Sequence, residues 1–192
     1  MTKANAPRRS RRGRLGRERI LQAALHLADQ GGVAALSMRK IAGSLGVEAM
    51  SLYHHVANKG EILDGVVGLV FAEIGPLQEE DWKAAVERWG CSVRRALRER
   101  PWVVGLLNRR GGAGAAQFRH HDAMLDHLGA AGFPADLAAR AVSVVDAYVY
   151  GFVLREQSLT PGTDQDEQFG WGLELVIDGI EVRRFLARHL SA

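Results

Sequence analysis

Residues 37–63 read SMRKIAGSLGVEAMSLYHHVANKGEIL, and within them lie two helix-opening residues, a helix-ending glycine and a tyrosine beside two histidines. Ser37 stands at an N-cap before Met38, Ile41, Ala42 and Leu45, and Gly46 ends that helix after barely two turns. Val47 is expected as a buried plug. The segment Glu48 to Val56 has room for only two more turns before Asn58 opens another helix, with Glu61 three residues on as in a capping box. Helices this short are marginal alone because nucleation is costly, so they persist only when packed on each other and on a longer neighbour. The spacing is that of a helix-turn-helix. On a wheel of roughly 100° per residue, Leu52 and Val56 share one face while Met50 and His54 point the opposite way, with Ser51 and Tyr53 on the flanks. One face anchors and the other is free to read.

Upstream, Ile20, Ala24 and Ala28 recur at intervals of four with Leu21 and Leu25 beside them, and Gly31-Gly32 supplies the stop, which makes Arg17 the start of a first helix. Residues 1–16 are basic and lack an apolar period, as expected of a flexible arm; a merely solvating tail has the same composition. Downstream, Ile62, Leu63, Val66, Val67, Leu69, Val70, Phe71 and Ile74 make the helix from Asn58 apolar on nearly every side. Such a helix is expected buried between other elements, as the connector from the first half to the rest. Residues 81–108, 117–130, 134–158 and 167–190 read as further helices, divided by RRGGAGAA (109–116), GF (132–133) and TPGTDQD (160–166). No stretch alternates with period two for long enough to suggest a sheet. The expected fold is all-α: an arm over 1–16, a three-helix helix-turn-helix domain over 17–64, and a helical regulatory and dimerisation domain over 65–192.

Charge divides the chain the same way. Residues 1–64 hold eleven Lys/Arg against five Asp/Glu, whereas residues 65–192 hold fourteen against seventeen. A basic first half beside an acidic second half suggests two jobs, the first facing a polyanion. The 192 residues, 47% hydrophobic and 24% charged, are enough for a packed core. The single cysteine, Cys91, excludes an intrachain disulfide and is expected as a small core residue, in keeping with a reducing cytoplasm. No apolar run approaches the ~18 residues of a spanning helix, since Ala138 to Leu154 carries Arg140 and Asp146. The run RRSRRGR (8–14) is followed by an amphipathic, charged segment where an export signal needs a plain apolar one. A soluble cytoplasmic protein is expected.

Ala138, Val142, Val145, Val149 and Phe152 alternate four and three apart, as do Phe169, Leu173, Val176 and Ile180 near the end. Both stripes suit helix-on-helix packing, within the chain's own core or, as favoured here, in a four-helix seam with a second copy. The stretch HHDAMLDH (120–127) raises an alternative, a metal-dependent hydrolase using His120, His121 and Asp122, because helical His/Asp spacings build metal sites. An ordinary polar helix face has the same composition, and only His189 is left in the C-terminal half to complete such a site. RRGGAGAA follows no strand and lacks the lysine of a nucleotide loop, so it reads as a connector. Twelve of the thirteen aromatics lie beyond residue 70, fitting either a thick core or an apolar pocket. Trp102, Phe118, His121, Leu125, Tyr148 and Phe152 are the candidate pocket residues, with His127 a further possibility.

The first helix, the quoted stretch and the apolar connector together resemble the TetR family of bacterial transcriptional regulators over about residues 17–74, and the LYHHV-x-NK portion is similar to its tetracycline-repressor branch. A weaker likeness continues to Leu159 in RALRERPW, HHDAMLDHLGAAGF and DAYVYGFVLREQ. The resemblance implies a ligand-responsive, homodimeric repressor of double-stranded operator DNA with a small-molecule inducer, no enzyme, and no cofactor. It places Met38 and Arg39 at the phosphates and groove edge, with the Ser37 hydroxyl beside them at the helix start, Ala49, Met50, Ser51, His54 and His55 on the reading helix, and Tyr53 and Lys59 on the DNA backbone. A hydroxyl, a phenol and an ammonium at helix starts suit phosphates, which position without reading. The branch's magnesium-bound drug needs a histidine and a glutamate where this chain has Ala96 and Arg155, and a methyl and a guanidinium build no cation site.

Overall fold

The computed structural model describes residues 14–76, 81–107, 115–158 and 164–190. Among them the regular elements are all helical: α1 (Arg17–Gly31), α2 (Met38–Leu45), α3 (Ala49–Leu52), α4 (Lys59–Ala72), α5 (Trp82–Glu99), α6 (Val104–Leu107), α7 (Ala115–Ala130), α8 (Ala135–Glu156) and α9 (Gln165–Leu190), with single 3₁₀ turns at Val33–Ala35 and Pro101–Val103. The expected arm lies outside the described residues except for Arg14 to Gly16, where Leu15 packs on the core.

Helix ends follow local chemistry. The Ser37 hydroxyl accepts the Lys40 amide at 3.2 Å, and Gly46 ends α2 in the left-handed region at φ 67°, where an L side chain would be strained. The α3 helix is shorter than expected, a single turn followed by turns to Val56, which shortens the unit without moving its anchors: Leu52 and Val56 are both buried. They join Ile20, Leu21, Ala24, Leu25, Leu36 and Ile41 in the core of the head. Val47 is half-buried rather than a full plug.

Helix α4 leaves the head with Ile62, Leu63, Val66, Val67, Val70 and Phe71 buried, packs on α1 at one end and along α7 at the other, and so crosses the expected boundary at residue 64. Gly65 lets α1 and α4 approach closely, since a Cβ there would fall 2.5 Å from a Leu21 methyl.

Four expectations need correction. The single helix over 81–108 stops at Glu99, because Pro101 has no amide to donate and disfavours helical geometry in the residue before it; Arg100 leaves the helical region at φ −134°, ψ 68°. Cys91 lies on the exposed side of α5 instead of in the core, one residue past Trp89 and Gly90, which face inward. Most of the α8 and α9 stripes favoured for self-association are buried in the chain's own core, against α5, α7 and each other: Val142, Val145, Val149, Phe169 and Leu173 are each 1% exposed, and only Val176 is half-exposed. Contrary to the expectation for Ala138 to Leu154, helix α8 is long and apolar enough by length and composition to cross a membrane; its apolar residues include the buried stripe and also the exposed Val144 and Leu154.

Candidate DNA interface and effector cavity

The head presents its polar groups around α3. Met50 is 70% exposed and Tyr53 47% exposed, and His54 is exposed, all three away from the buried Leu52 and Val56, while Ser51 and His55 are half-buried and Ala49 packs against the core. Arg39 is exposed on α2 beside the half-buried Met38, and Lys59 is exposed as the first residue of α4. Because α2 packs on both α1 and α3, the ten candidate DNA residues are carried on one packed unit: α2 with its cap, α3 with the turns that follow it, and the first residue of α4.

Glu61 holds that head together in a way the sequence showed only in part. The Asn58 side chain accepts the Glu61 amide at 3.0 Å, as a cap should. The return bond of the expected capping box is displaced by one residue: Glu61 Oε2 accepts from the Ala57 amide at 2.7 Å, while Oε1 accepts from Arg17 Nε at 3.1 Å. The Ala57 amide, then Arg17, holds the Glu61 carboxyl below its ordinary range. One carboxylate therefore ties the segment after α3, the start of α4 and the start of α1.

The candidate pocket residues do not converge. Tyr148 and Phe152 pack with Phe169 around Arg94, whose guanidinium lies 4.5 Å from the Phe169 ring and pairs with Glu156 and with Asp166, the latter at 2.8 Å. Those rings and the Arg94 pairs occupy the inner side of that corner of α5, α8 and α9, and an open cavity of about 400 Å³ lies outside them, lined by Cys91, Arg94, Arg95, Arg98, Glu99 and Asp166. His121 pairs with Asp146 of α8 at 3.3 Å; burial pushes the Asp146 carboxyl up and His121 opposes it. Leu125 packs on the core, Trp102 donates to Asp29 at the base of the head, and the side chain of Phe118 lies outside the described residues.

An open cavity of about 590 Å³ lies instead between the end of α4 and α7, lined by Ala72, Gly75, Pro76, His120, Ala123, Asp126 and His127. Its histidines come from HHDAMLDH: positions 120, 123 and 127 share one face of α7, where the sequence offers His127 as a pocket residue but reads His120 for metal. His127 Nε2 is buried without a partner. The three residues of the hydrolase alternative do not come together: His120 faces this cavity, His121 turns to Asp146 and Asp122 is exposed. Among the described residues no three His, Cys, Asp or Glu gather into a group that could hold a metal.

Outside the core, α8 and α9 leave apolar side chains in solvent: Val144 and Leu175 at 52% exposed, Val182 at 58% and Trp171 at 66%. Val144 and Leu175 border a groove of about 540 Å³ between the two helices, flanked by Arg140 and Arg183.

Comparison with known proteins agrees with this architecture. Residues 20–66 match the model of bacterial regulatory proteins of the tetR family, and residues 75–165 match that of the tetracyclin repressor-like C-terminal domain. The chain is 30% identical over 210 residues to the tetracycline repressor protein class A from transposon 1721 of Escherichia coli, covering 90% of this chain and 93% of that protein. It is 35% identical over 144 residues to an HTH-type transcriptional regulator of Saccharopolyspora erythraea, covering 74% of this chain and 61% of that regulator's length. Apo ActR from Streptomyces coelicolor superposes with a TM-score of 0.81 at 25% identity over 91% of this chain and 99% of its own, and ActR is also known in complex with actinorhodin.

Proposed function

The chain belongs to the TetR family of bacterial regulators, and from that premise we propose that it is a ligand-responsive repressor, a cytoplasmic homodimer whose heads dock in successive major grooves of a near-palindromic operator. The observation that carries this reading is the division of the α3 unit, with Leu52 and Val56 sealed in the core while Met50, Tyr53 and His54 stand in solvent beside Arg39 and Lys59. Tyr53, Ser37 and Lys59 take phosphates; Arg39, Met50 and His54 face base edges, where Met50 suits a thymine methyl.

A second copy covers the exposed apolar side of α8 and α9, since large apolar side chains gathered along two adjacent helices mark an interaction surface. A ligand with an apolar body and a hydrogen-bonding group fits the α4–α7 cavity, with His127 Nε2 as its polar contact. Induction requires that the ligand bind better when the heads are wrongly spaced than when they are docked, because equal affinity shifts nothing. Helix α4, which lines the cavity at one end and opens the head at the other, is the lever.

Selection of bound sequences from random duplex DNA, followed by salt titration of the best one with wild type and Tyr53→Ala, tests the reading. The expected result is a palindrome with half-sites ~34–36 Å apart or a multiple of it, weakened binding by the variant, and affinity that falls with salt. Salt-sensitive binding with no preferred sequence, unchanged in Tyr53→Ala, overturns it.

A further inference from the structure

We propose that Arg100, a residue of the regulatory domain, is a positioning residue for DNA recognition: by gripping helix α1 and the end of helix α4 together, it sets the angle at which the head stands and therefore the half-site spacing the protein accepts. This rests on the operator-binding reading above.

The bracket is three-sided. Arg100 Nε donates to Asp29 Oδ2 at 3.3 Å, and Nη1 donates to Glu73 Oε2 at 2.8 Å. Trp102 Nε1 donates to the other Asp29 oxygen at 3.2 Å. Both oxygens of a carboxylate in the last turns of α1 are thus held from more than seventy residues away, by groups on either side of the break at Pro101. No basic residue in the last turn of α1 offers Asp29 a local partner. The Arg100 side chain is 18% exposed, against 36% for Asp29 and 47% for Glu73, so it sits at the inner side of the cluster. Pro101 pins the backbone from which it springs, and a guanidinium offers its donors in a fixed planar fork, so the spacing between the two carboxylates is set by covalent geometry.

The connection through α4 alone leaves the head one hinge. The Arg100 bracket adds a second attachment at the far end of α1, and two attachments fix an angle. Magnitudes make that angle matter: α1 has fifteen residues, about 22 Å at 1.5 Å per residue, so a swing of about 10° at one end moves the other by about 4 Å. That is comparable to the ~3.4 Å step between base pairs. Glu73 also lies between Ala72 and Gly75, which line the α4–α7 cavity, so an occupant of that cavity sits next to the bracket.

The test uses the full chain and its selected operator, together with versions whose central spacer is one base pair longer or shorter and an isolated half-site. Wild type is expected to prefer its own spacing by about tenfold, the range of ordinary coupling between sites. Arg100→Met and Asp29→Asn are each expected to lose most of that preference while binding the isolated half-site as wild type does, and the double variant is expected to lose no more than either single one. Asp29→Asn keeps an acceptor for Trp102 and guards against a result from misfolding, which thermal melting checks. A spacing profile identical to wild type in both folded variants overturns the proposal while leaving the operator reading intact. If wild type selects no palindrome at all, the operator reading itself fails and this inference falls with it.

Discussion

At Glu61 one carboxylate serves three parts of the head, and the chemistry of that arrangement predicts how the head responds to acid. Its carboxyl is held below the ordinary range by the Ala57 amide first and Arg17 second. A carboxyl whose pKa is lower folded than unfolded contributes stability that is fully present above the unfolded value, roughly 4.3, and is lost as pH falls through the folded one. Glu61→Gln is therefore expected to unfold at lower urea than wild type at pH 7, with the gap closing as both are brought to pH 3. A gap that persists in acid would mean that the bonds to Ala57 and Arg17 do not depend on charge. The residue also marks how far single positions were legible. Asn58 and Glu61 announce a cap by their spacing, because capping is a contact between chain neighbours. Arg17 is forty-four residues away, and no local pattern could place it there. The same holds for Asp29 with Arg100 and Trp102, and for His121 with Asp146.

Periodicity located the elements because burying a helix face leaves a mark every three or four residues. It does not say what covers the face, and so the α8 and α9 stripes suit a partner as well as the chain's own core, which most of them fill. Nor does an apolar period stop at a proline, which is why periodicity predicts one helix over 81–108, through Pro101. Close approach between helices is also beyond pattern, and two glycines of α9 make it testable. A Cβ at Gly172 would fall within 3.0 Å of the Tyr148 ring, which is held by a 2.8 Å bond from its hydroxyl to the Phe169 carbonyl, whereas a Cβ at Gly170 would meet nothing within 4 Å. Gly172→Ala is expected to destabilise by ~1–3 kcal/mol through overpacking. Gly170→Ala, two residues away in the same helix, is expected to stabilise by up to ~1 kcal/mol from helix propensity. Thermal unfolding of both variants checks the pair, and equal signs would show that Tyr148 yields and that α8 and α9 do not set their distance at this point.

Across the whole molecule, the charge division and the helix order were legible because both are summed over many residues, and a sum survives local error. The cavity was not, since it exists only where α4 meets α7, and neither sequence segment contains its shape. The partner surface lies between these cases: self-association was expected, but the side chains that would carry it are those left outside once the stripes turn inward. Val144, Leu175 and Val182 stand more than half exposed on adjacent helices, and a closed two-fold pairing of α8 and α9 with a copy would bury the same patch on both chains. A charge at the centre of such a patch is desolvated twice in the dimer and not at all in the monomer. Leu175→Glu is accordingly expected to leave thermal melting of the monomer intact, since Leu175 is 52% exposed, while sedimentation shifts from dimer to monomer. The variant should then lose affinity for the full operator yet bind an isolated half-site as wild type does, because each head is complete within its own chain. Unchanged sedimentation in Leu175→Glu would place the interface on another face, and the two heads would have to be spaced through that face instead.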